Sequence, residues 1–294
     1  MIDITTTTSA TTFGGAPTRR ARRFGRGWTG PLAGAAIVLL ALIAFIGPNL
    51  LGSTSAQQIA DAYSAPGGQY LLGSDELGRD ILPRVVEGLR YSLSVATAGM
   101  VLAALLGLTV GLIAGYVGGR TDEVLMRIID IQMAVPQVLL VLVIVTVLRP
   151  TFWTIAIALA LSAWYVFARV ARAQVLSLRE NDMVAGHIAS GLTSGRIVVR
   201  HVLPNISGPL IAIATLEIGH LILAEATLGY LGLGIAAPAP SLGSMVAQGQ
   251  VALTAGLWWP ALIPGIAITI LILTFNGLGD WMQHTFDPRQ RRAR

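Results

Sequence analysis

The chain alternates long apolar stretches with shorter polar connections, and six of the apolar stretches are long enough to cross a membrane. An α-helix rises about 1.5 Å per residue, so roughly 20 apolar residues span a hydrocarbon core of about 30 Å. The pattern therefore predicts an all-α, polytopic membrane protein with six transmembrane helices. The predicted spans cover residues 31–51, 92–117, 128–148, 152–170, 206–233 and 257–282.

The polar segments around these spans differ in character. Residues 1–30 are predicted to form a disordered basic tail, because the first 18 are rich in Thr, Ser and Gly and five arginines follow them. We interpret 31–51 as an uncleaved span, since it is nearer 20 residues than 10 and no small-residue cleavage site follows it. Residues 283–294 form a second basic tail, and residues 91–282 hold the other five spans.

Residues 52–90 connect the first two spans and end in an amphipathic stretch. Five apolar side chains fall on one helical face, at Ile81, Leu82, Val85, Val86 and Leu89. Charged residues occupy most of the other positions, so we expect a helix that lies at the membrane surface and leads into the second span.

Small residues recur every four positions in the second span, at Gly99, Ala103, Gly107, Gly111 and Gly115. Lipid offers little hydrophobic force for helix association, so close backbone approach along such a seam drives packing. The seam predicts a tight helix contact, either within this chain, which we favour, or with a partner subunit.

The connection at residues 171–205 is long for a helical bundle, and loops of this length tend to be functional. It is predicted to form two short helices on either side of Gly191, where the missing Cβ permits a turn. Pro204 suits the first turn of the fifth span, because a backbone N–H has no partner there.

Composition supports the membrane class and narrows the chemistry. Hydrophobic residues make up 54% of the chain and charged residues 12%, against about 25% in soluble domains. The absence of cysteine excludes disulfides, thiolate catalysis and zinc–thiolate sites. All 20 basic residues are arginine, so the chain lacks the lysine that a P-loop places on nucleotide phosphates. If ATP powers this protein, another chain must bind it.

The arginines also predict the orientation of the chain. With the N-terminus in the cytoplasm, sixteen arginines fall in inside segments and four fall outside, at Arg79, Arg84, Arg90 and Arg149. Because basic residues accumulate on the cytoplasmic side of membrane proteins, we expect both termini inside. The same placement disfavours nucleic-acid binding, which needs basic residues on a solvated face.

Three ionisable residues lie in the fifth span, and two of them, Glu217 and His220, share a helical face. Glu225 follows further along. Charged groups within a span are costly and usually face a cavity or a partner. These residues are candidates for the substrate pathway or the subunit interface, and a helix contact without a substrate role remains the alternative.

No other pattern indicates catalysis or metal binding. The four histidines lack paired-ligand spacing, and the carboxylates are too scattered for an acid–base pair. The run Gly229-x-x-Gly232-x-Gly234 ends an apolar span instead of joining a strand to a helix, so it is not a dinucleotide fingerprint. A charged group after the second span is predicted to form a solvated helix end: Asp122, Glu123, Arg127 and Asp130.

Four collinear stretches resemble the permease subunits of ATP-binding-cassette importers for dipeptides, oligopeptides and nickel. In the 171–205 connection, Gly191 followed by Arg200-His201-Val202-Leu203-Pro204-Asn205 is similar to the cytoplasmic coupling motif of that family. The other stretches are Leu72–Asp80, Glu225–Gly234 with Pro238, Pro240 and Ser241, and Trp258–Gly265 with Phe275–Asp280 and Asp287–Arg289. Together they cover about residues 70–290 and point to the C-type permease subunit.

The connection departs from the family motif at one place. Ala185-Gly186-His187 stand where the family has Glu-Ala-Ala, whose glutamate contacts the ATPase, so Glu180 and Asp182 are candidates for that contact. The residues that the resemblance assigns to the coupling loop are Glu180, Asp182, Ala185, Gly186, His187, Gly191, Arg196, Arg200, His201, Leu203 and Pro204.

The resemblance implies a type I importer permease fold and a set of partners. These are a homologous B-type permease, cytoplasmic ATPases that bind ATP and Mg, an extracytoplasmic binding protein, and the lipid of a bacterial inner (plasma) membrane. This chain itself would bind no cofactor, metal or nucleic acid and would not be an enzyme. Short peptides are the implied cargo, and the same subfamily includes nickel and glutathione carriers. Motion of the ATPases would reach the pathway through the coupling helices.

Two other functional classes remain open from the residues alone. A secondary transporter driven by an ion gradient would show broken helices in paired halves. A membrane anchor or assembly protein without transport would not need the long 171–205 connection.

Overall fold

The computed structural model describes residues 29–51, 55–68, 70–179, 203–235 and 239–286. Helices dominate this part of the chain, and it contains isolated β-bridges but no β-strand. The helices, in chain order, are α1 (Thr29–Leu51), α2 (Ile81–Val117), α3 (Gly119–Met133), α4 (Gln137–Leu148), α5 (Phe152–Arg179), α6 (Leu203–Tyr230), α7 (Leu242–Thr254) and α8 (Trp259–Phe286).

Five of these helices, α1, α2, α5, α6 and α8, are long and apolar enough to cross a membrane. The bent pair of α3 and α4 counts as a sixth span if it is taken as one. The prediction of an all-α, polytopic protein is therefore confirmed. A short turn separates the predicted third and fourth spans, since α4 ends at Leu148 and α5 begins at Phe152. Arg149 in this turn adopts a positive φ of 67°.

The predicted third span, residues 128–148, is wrong as a single straight helix. α3 ends at Met133, α4 begins at Gln137, and the two are bent by 87°. Pro136 lacks a backbone N–H and disfavours a helical conformation in the residue before it, which explains the break. With 12 residues, α4 is about 18 Å long and cannot cross the hydrocarbon core alone.

The amphipathic stretch before the second span is helical, as predicted, but its apolar face meets protein instead of the membrane surface. Residues 81–117 form one continuous helix, α2, in which Ile81, Val85 and Leu89 belong to the buried core. Asp80 begins the helix by accepting a hydrogen bond from the Leu82 backbone N–H at 3.0 Å. Periodicity identified the apolar face correctly, and the fold supplied a different partner for it.

The small-residue seam of α2 packs against α5 of the same chain. A Cβ placed on Gly107 would lie 2.1 Å from the carbonyl oxygen of Trp164, and one on Gly111 would lie 2.4 Å from that of Ala168. All five seam residues are buried. Their placement agrees with the favoured interpretation, a contact within this chain.

The helix α7 was not predicted from the sequence. It begins with a capping box, in which the Ser244 backbone N–H donates to Ser241 Oγ at 3.2 Å and the Ser241 N–H donates to Ser244 Oγ. The helix ends at Thr254, and Gly256, two residues later, turns the chain away with a φ of 80°. Gly232 follows the end of α6 in the same way with a φ of 79°, so the glycine run there is a helix stop.

The bundle has two ends. The end that carries residues 55–80, the turn at 149–151 and α7 is called the loop end below. The other end, called the connection end, carries the C-terminus of α5 and the N-terminus of α6. Trp259 Nε1 donates a hydrogen bond to the Ser74 carbonyl oxygen at 3.2 Å, which ties the 55–80 segment to α8.

Candidate functional site

The connection end holds the helices that lead into and out of the predicted coupling loop. α5 ends at Arg179 and α6 begins at Leu203, so Leu203 and Pro204 lie in the first turn of α6, as predicted. The two short helices predicted about Gly191 stay a prediction. The coupling-loop residues that lie outside the described residues are Glu180, Asp182, Ala185, Gly186, His187, Gly191, Arg196, Arg200 and His201.

Two ion pairs join α3 to α5 near the connection end. Arg172 Nη2 donates to Asp122 Oδ2 at 2.6 Å, and its Nε donates to the other carboxylate oxygen. Arg169 Nη2 donates to Asp130 Oδ1 at 2.8 Å. Asp122 and Asp130, predicted as part of a solvated helix end, thus have basic partners some 40 to 50 positions away, which local sequence did not indicate.

Glu217 and His220 meet on α6, as their spacing predicts. His220 Nδ1 lies 3.3 Å from Glu217 Oε2. The Glu217 carboxylate is buried, whereas 63% of the His220 side chain is exposed. An ionisable group is costly against lipid, so the surface around His220 suits a partner subunit or a water-filled path.

Glu225 is buried between α6 and α2. It is 1% exposed, and its Oε2 accepts a hydrogen bond from Ser92 Oγ at 2.6 Å. Its Oε1 and the hydroxyl of Tyr91 are the two buried side-chain atoms without a hydrogen-bond partner in the described part of the chain. Its hydrogen bond to Ser92 makes Glu225 part of a contact between helices, and a place on the substrate pathway or the subunit interface stays a prediction.

Ser92→Ala is expected to destabilise the protein by about 1–3 kcal/mol, because it removes the donor to a carboxylate that stays buried. Ser94→Ala is the matched control in the same helix, since the Ser94 hydroxyl donates only to the Arg90 carbonyl oxygen one turn earlier. For the control we expect a change within about 0.5 kcal/mol. Reversible unfolding in mixed detergent micelles measures both, and equal losses would contradict a specific role for the Ser92–Glu225 bond.

The loop end holds a buried charge cluster that the sequence analysis did not identify. Asp75 Oδ2 pairs with Arg84 Nη1 and with Arg79 Nε, the latter at 2.7 Å. Arg84 Nη2 donates to Gln248 Oε1 of α7 at 3.1 Å. Asp75 and Arg84 are 6% and 4% exposed. The cluster ties together the 55–80 segment, α2 and α7.

The turn after Asp75 holds its carboxylate in place. Asp75 Oδ1 accepts hydrogen bonds from the backbone N–H groups of Leu77 and Arg79, each at 2.9 Å. Partial burial lowers the pKa of Arg79 from its ordinary value, with nearby Glu76 acting in the opposite direction. A guanidinium remains charged in proteins, so both arginines contribute positive charge to the cluster.

Residues 107–292 match the family described as binding-protein-dependent transport system inner membrane component. The chain is 38% identical over 251 residues to the dipeptide transport system permease protein DppC of Alkalihalophilus pseudofirmus, covering 85% of this chain and 82% of that protein. It is 37% identical to the oligopeptide transport system permease protein OppC of Bacillus subtilis, over 87% of this chain and 84% of that protein.

A solved structure shares the fold. A chain of the MetNI methionine ABC transporter, in an inward-facing conformation (CY5 native crystal form), aligns with a TM-score of 0.59 and 18% identity. The alignment covers 70% of this chain and 97% of that chain. At this identity the likeness concerns the fold alone.

Proposed function

Since the chain belongs to the binding-protein-dependent transport system inner membrane component family, we propose that it forms half of the transmembrane pathway of an ATP-driven importer for dipeptides or oligopeptides. It is a multi-pass inner-membrane transport permease with a type I importer fold, and not an enzyme. The observation that carries the peptide assignment is the identity of 37–38% to dipeptide and oligopeptide permeases over 85–87% of this chain.

In the proposed assembly a homologous B-type permease forms the other half of the pathway. An extracytoplasmic binding protein delivers the substrate at the loop end, and separate ATPases carry ATP and Mg at the connection end. The complete absence of lysine supports this division, because this chain cannot build a P-loop. The arginine distribution supports cytoplasmic termini and a cytoplasmic coupling loop.

The packing of α2 on α5 supports a rigid transmission of motion. Closing and opening of the ATPases would move the coupling loop, which is continuous with the C-terminus of α5. Gly107 and Gly111 bring α2 into direct contact with the α5 backbone. Because this contact is close-packed, one helix cannot shift without displacing the other. We infer that α2 and α5 move as one body when the pathway changes its access.

The bend between α3 and α4 bears on the rival carrier driven by an ion gradient. Such carriers place broken helices in both halves of the chain. Among the described helices, α3 and α4 are the one pair bent by more than 40° at a short break. A single break without a counterpart among the described helices favours the importer.

Reconstitution with the partner subunits in lipid vesicles tests the proposal. We expect peptide-loaded binding protein to stimulate ATP hydrolysis and ATP-dependent uptake. Stimulation by nickel-loaded or glutathione-loaded binding protein instead would establish the alternative cargo. Uptake driven by an ion gradient without ATP would show a secondary carrier. The absence of both activities would indicate a membrane anchor.

Gly191→Pro is expected to uncouple uptake from ATP hydrolysis. Proline fixes φ at about −65° and removes the backbone N–H, so it cannot supply the glycine turn that is predicted at the junction of the two helices. A backbone strain of about 1–3 kcal/mol corresponds to a loss of roughly five- to a hundredfold in uptake. ATP hydrolysis by the assembled complex should continue. Ser190→Ala, next to it in the chain, is the control that keeps a helix-compatible residue. Normal uptake by Gly191→Pro at normal expression would refute the coupling role.

His220→Gln is expected to lower uptake about tenfold if this surface lines the pathway or the subunit interface. A hydrogen bond to a charged group is worth about 1.5 kcal/mol or more, which is the size of that change. Glu217→Gln removes the partner of the imidazole and should act in the same direction. Thr227→Ala, on an exposed hydroxyl bonded within α6, is the control. Unchanged uptake kinetics in both His220→Gln and Glu217→Gln would assign the pair to a helix contact.

A further inference from the structure

Among the described residues, those that line the cavity beside the Asp75 cluster include two arginines and no acidic residue. The cavity measures about 320 Å³ and lies between the end of α6, the start of α7 and the turn at Pro150. Arg79, Arg84, Ser244 and Gln248 are its polar lining residues. A volume of this size is at the lower end of ligand pockets and suits one end of a small molecule.

Two acidic residues act on these arginines, but neither of them lines this cavity: Asp75 pairs with both guanidinium groups, and Glu76 lies close enough to Arg79 to raise the pKa of that arginine. One carboxylate, Asp75, serves two guanidinium groups, and one of its oxygens is already occupied by backbone N–H groups. Asp75 and Glu76 line a separate, much smaller cavity that also borders Arg84. Arg79 binds Asp75 through Nε, and a guanidinium has five N–H donors, so its terminal nitrogens remain for a ligand.

The arginines are held in position before any ligand arrives. The Arg84 side chain is 4% exposed and is fixed by Asp75 on one side and Gln248 on the other. Gly232, with its φ of 79°, has no atom within 4 Å of where a Cβ would lie, which keeps that side of the cavity open. Groups fixed in this way bind with little loss of conformational entropy.

We propose that this cavity receives a carboxylate of the peptide substrate at the extracytoplasmic mouth of the pathway; the inference rests on the proposed peptide import. Guanidinium and carboxylate pair through parallel, charge-assisted hydrogen bonds, and arginine matches that geometry better than lysine. An acidic side chain of the binding protein carries the same group and is the second source of the carboxylate. The source is decided by experiment.

The charge of the cavity is tested by thiol labelling in the assembled complex. This chain contains no cysteine, so Ala239→Cys introduces a single thiol at the cavity lining. Ala255→Cys, at an exposed alanine just after α7, is the matched control. The quantity compared is the labelling rate with an anionic methanethiosulfonate reagent divided by the rate with a cationic one. We expect this ratio to be several-fold higher at residue 239 than at residue 255. Arg79→Gln should reduce the ratio to the control value, and equal ratios in the parent complex would overturn the proposal.

The ligand is tested by protection of the same thiol. A free dipeptide should slow labelling of Ala239→Cys, whereas the same dipeptide with an amidated C-terminus should not. Equal protection by acid and amide, or protection by neither peptide nor binding protein, overturns the proposal. A third result assigns the carboxylate to the binding protein. In that case protection requires docked binding protein, does not depend on peptide and is lost in Arg79→Gln.

The labelling does not depend on transport, so it can succeed or fail independently of the peptide-import proposal. With peptide uptake established, Arg79→Gln should lower it about tenfold at saturating binding protein, the size expected for a charge-assisted contact. Arg120→Gln, at an exposed arginine of α3, should leave uptake unchanged. Equal losses in the two variants would show a general charge effect and would overturn the assignment.

Discussion

Asp75→Asn is expected to lower the free energy of unfolding by about 3–5 kcal/mol, because it leaves the Arg84 guanidinium buried without its counter-ion. Asparagine keeps a side-chain oxygen for the Leu77 and Arg79 backbone N–H groups, so the change isolates the charge from the turn. Arg84 is 4% exposed, so little of its charge would be solvated once the Asp75 carboxylate is lost. Reversible unfolding in mixed detergent micelles measures the difference.

Asp130→Asn is the matched control, since it makes the same chemical change in an exposed ion pair. The side chains of Arg169 and Asp130 are 48% and 53% exposed, and such pairs contribute about 0–1 kcal/mol. Adding Arg84→Gln to Asp75→Asn should restore part of the loss, because the unpaired buried charge is then removed. A loss for Asp75→Asn no larger than for Asp130→Asn would contradict a buried pair that organises the loop end.

Gly107→Ala is expected to destabilise the protein by about 1–3 kcal/mol or more and to move α2 away from α5. The added Cβ would lie 2.1 Å from the Trp164 carbonyl oxygen and 2.7 Å from the Phe167 Cβ. The first neighbour is backbone, so a side-chain rotation cannot relieve the overlap. Unfolding measurements of the same kind give the loss of stability.

Gly265→Ala provides the comparison for Gly107→Ala, because nothing lies within 4 Å of where its Cβ would be. Both glycines are inside helices, and alanine is the better helix former by about 1 kcal/mol. We therefore expect Gly265→Ala to be neutral or stabilising. If the two variants lost stability equally, the close contact between α2 and α5 would not be the cause.

The break between α3 and α4 shows how far pattern reading reached. Residues 128–148 were predicted to form one span because of their apolar length, although Pro136 lies within them. Hydropathy reports whether a segment suits lipid, but it does not report whether the backbone can continue through a residue without an N–H. α7 was missed for a related reason, since its 13 residues are too few to give a transmembrane signal and its Ser241 cap carries the information instead.

The apolar pattern was enough to show that this chain crosses the membrane several times, where most of its spans lie and which stripe of α2 packs closely. These properties follow from the length of apolar runs and the size of side chains. Both are local features of the sequence, and the thickness of the bilayer and the packing of helices in lipid act on them directly. The folded chain was needed to show that the stripe meets α5 of the same chain and that protein covers the apolar face at 81–89. It alone brought Arg84 to Asp75 and to Gln248, a partner 164 positions away, because a buried charge is satisfied by whatever the folded chain places beside it.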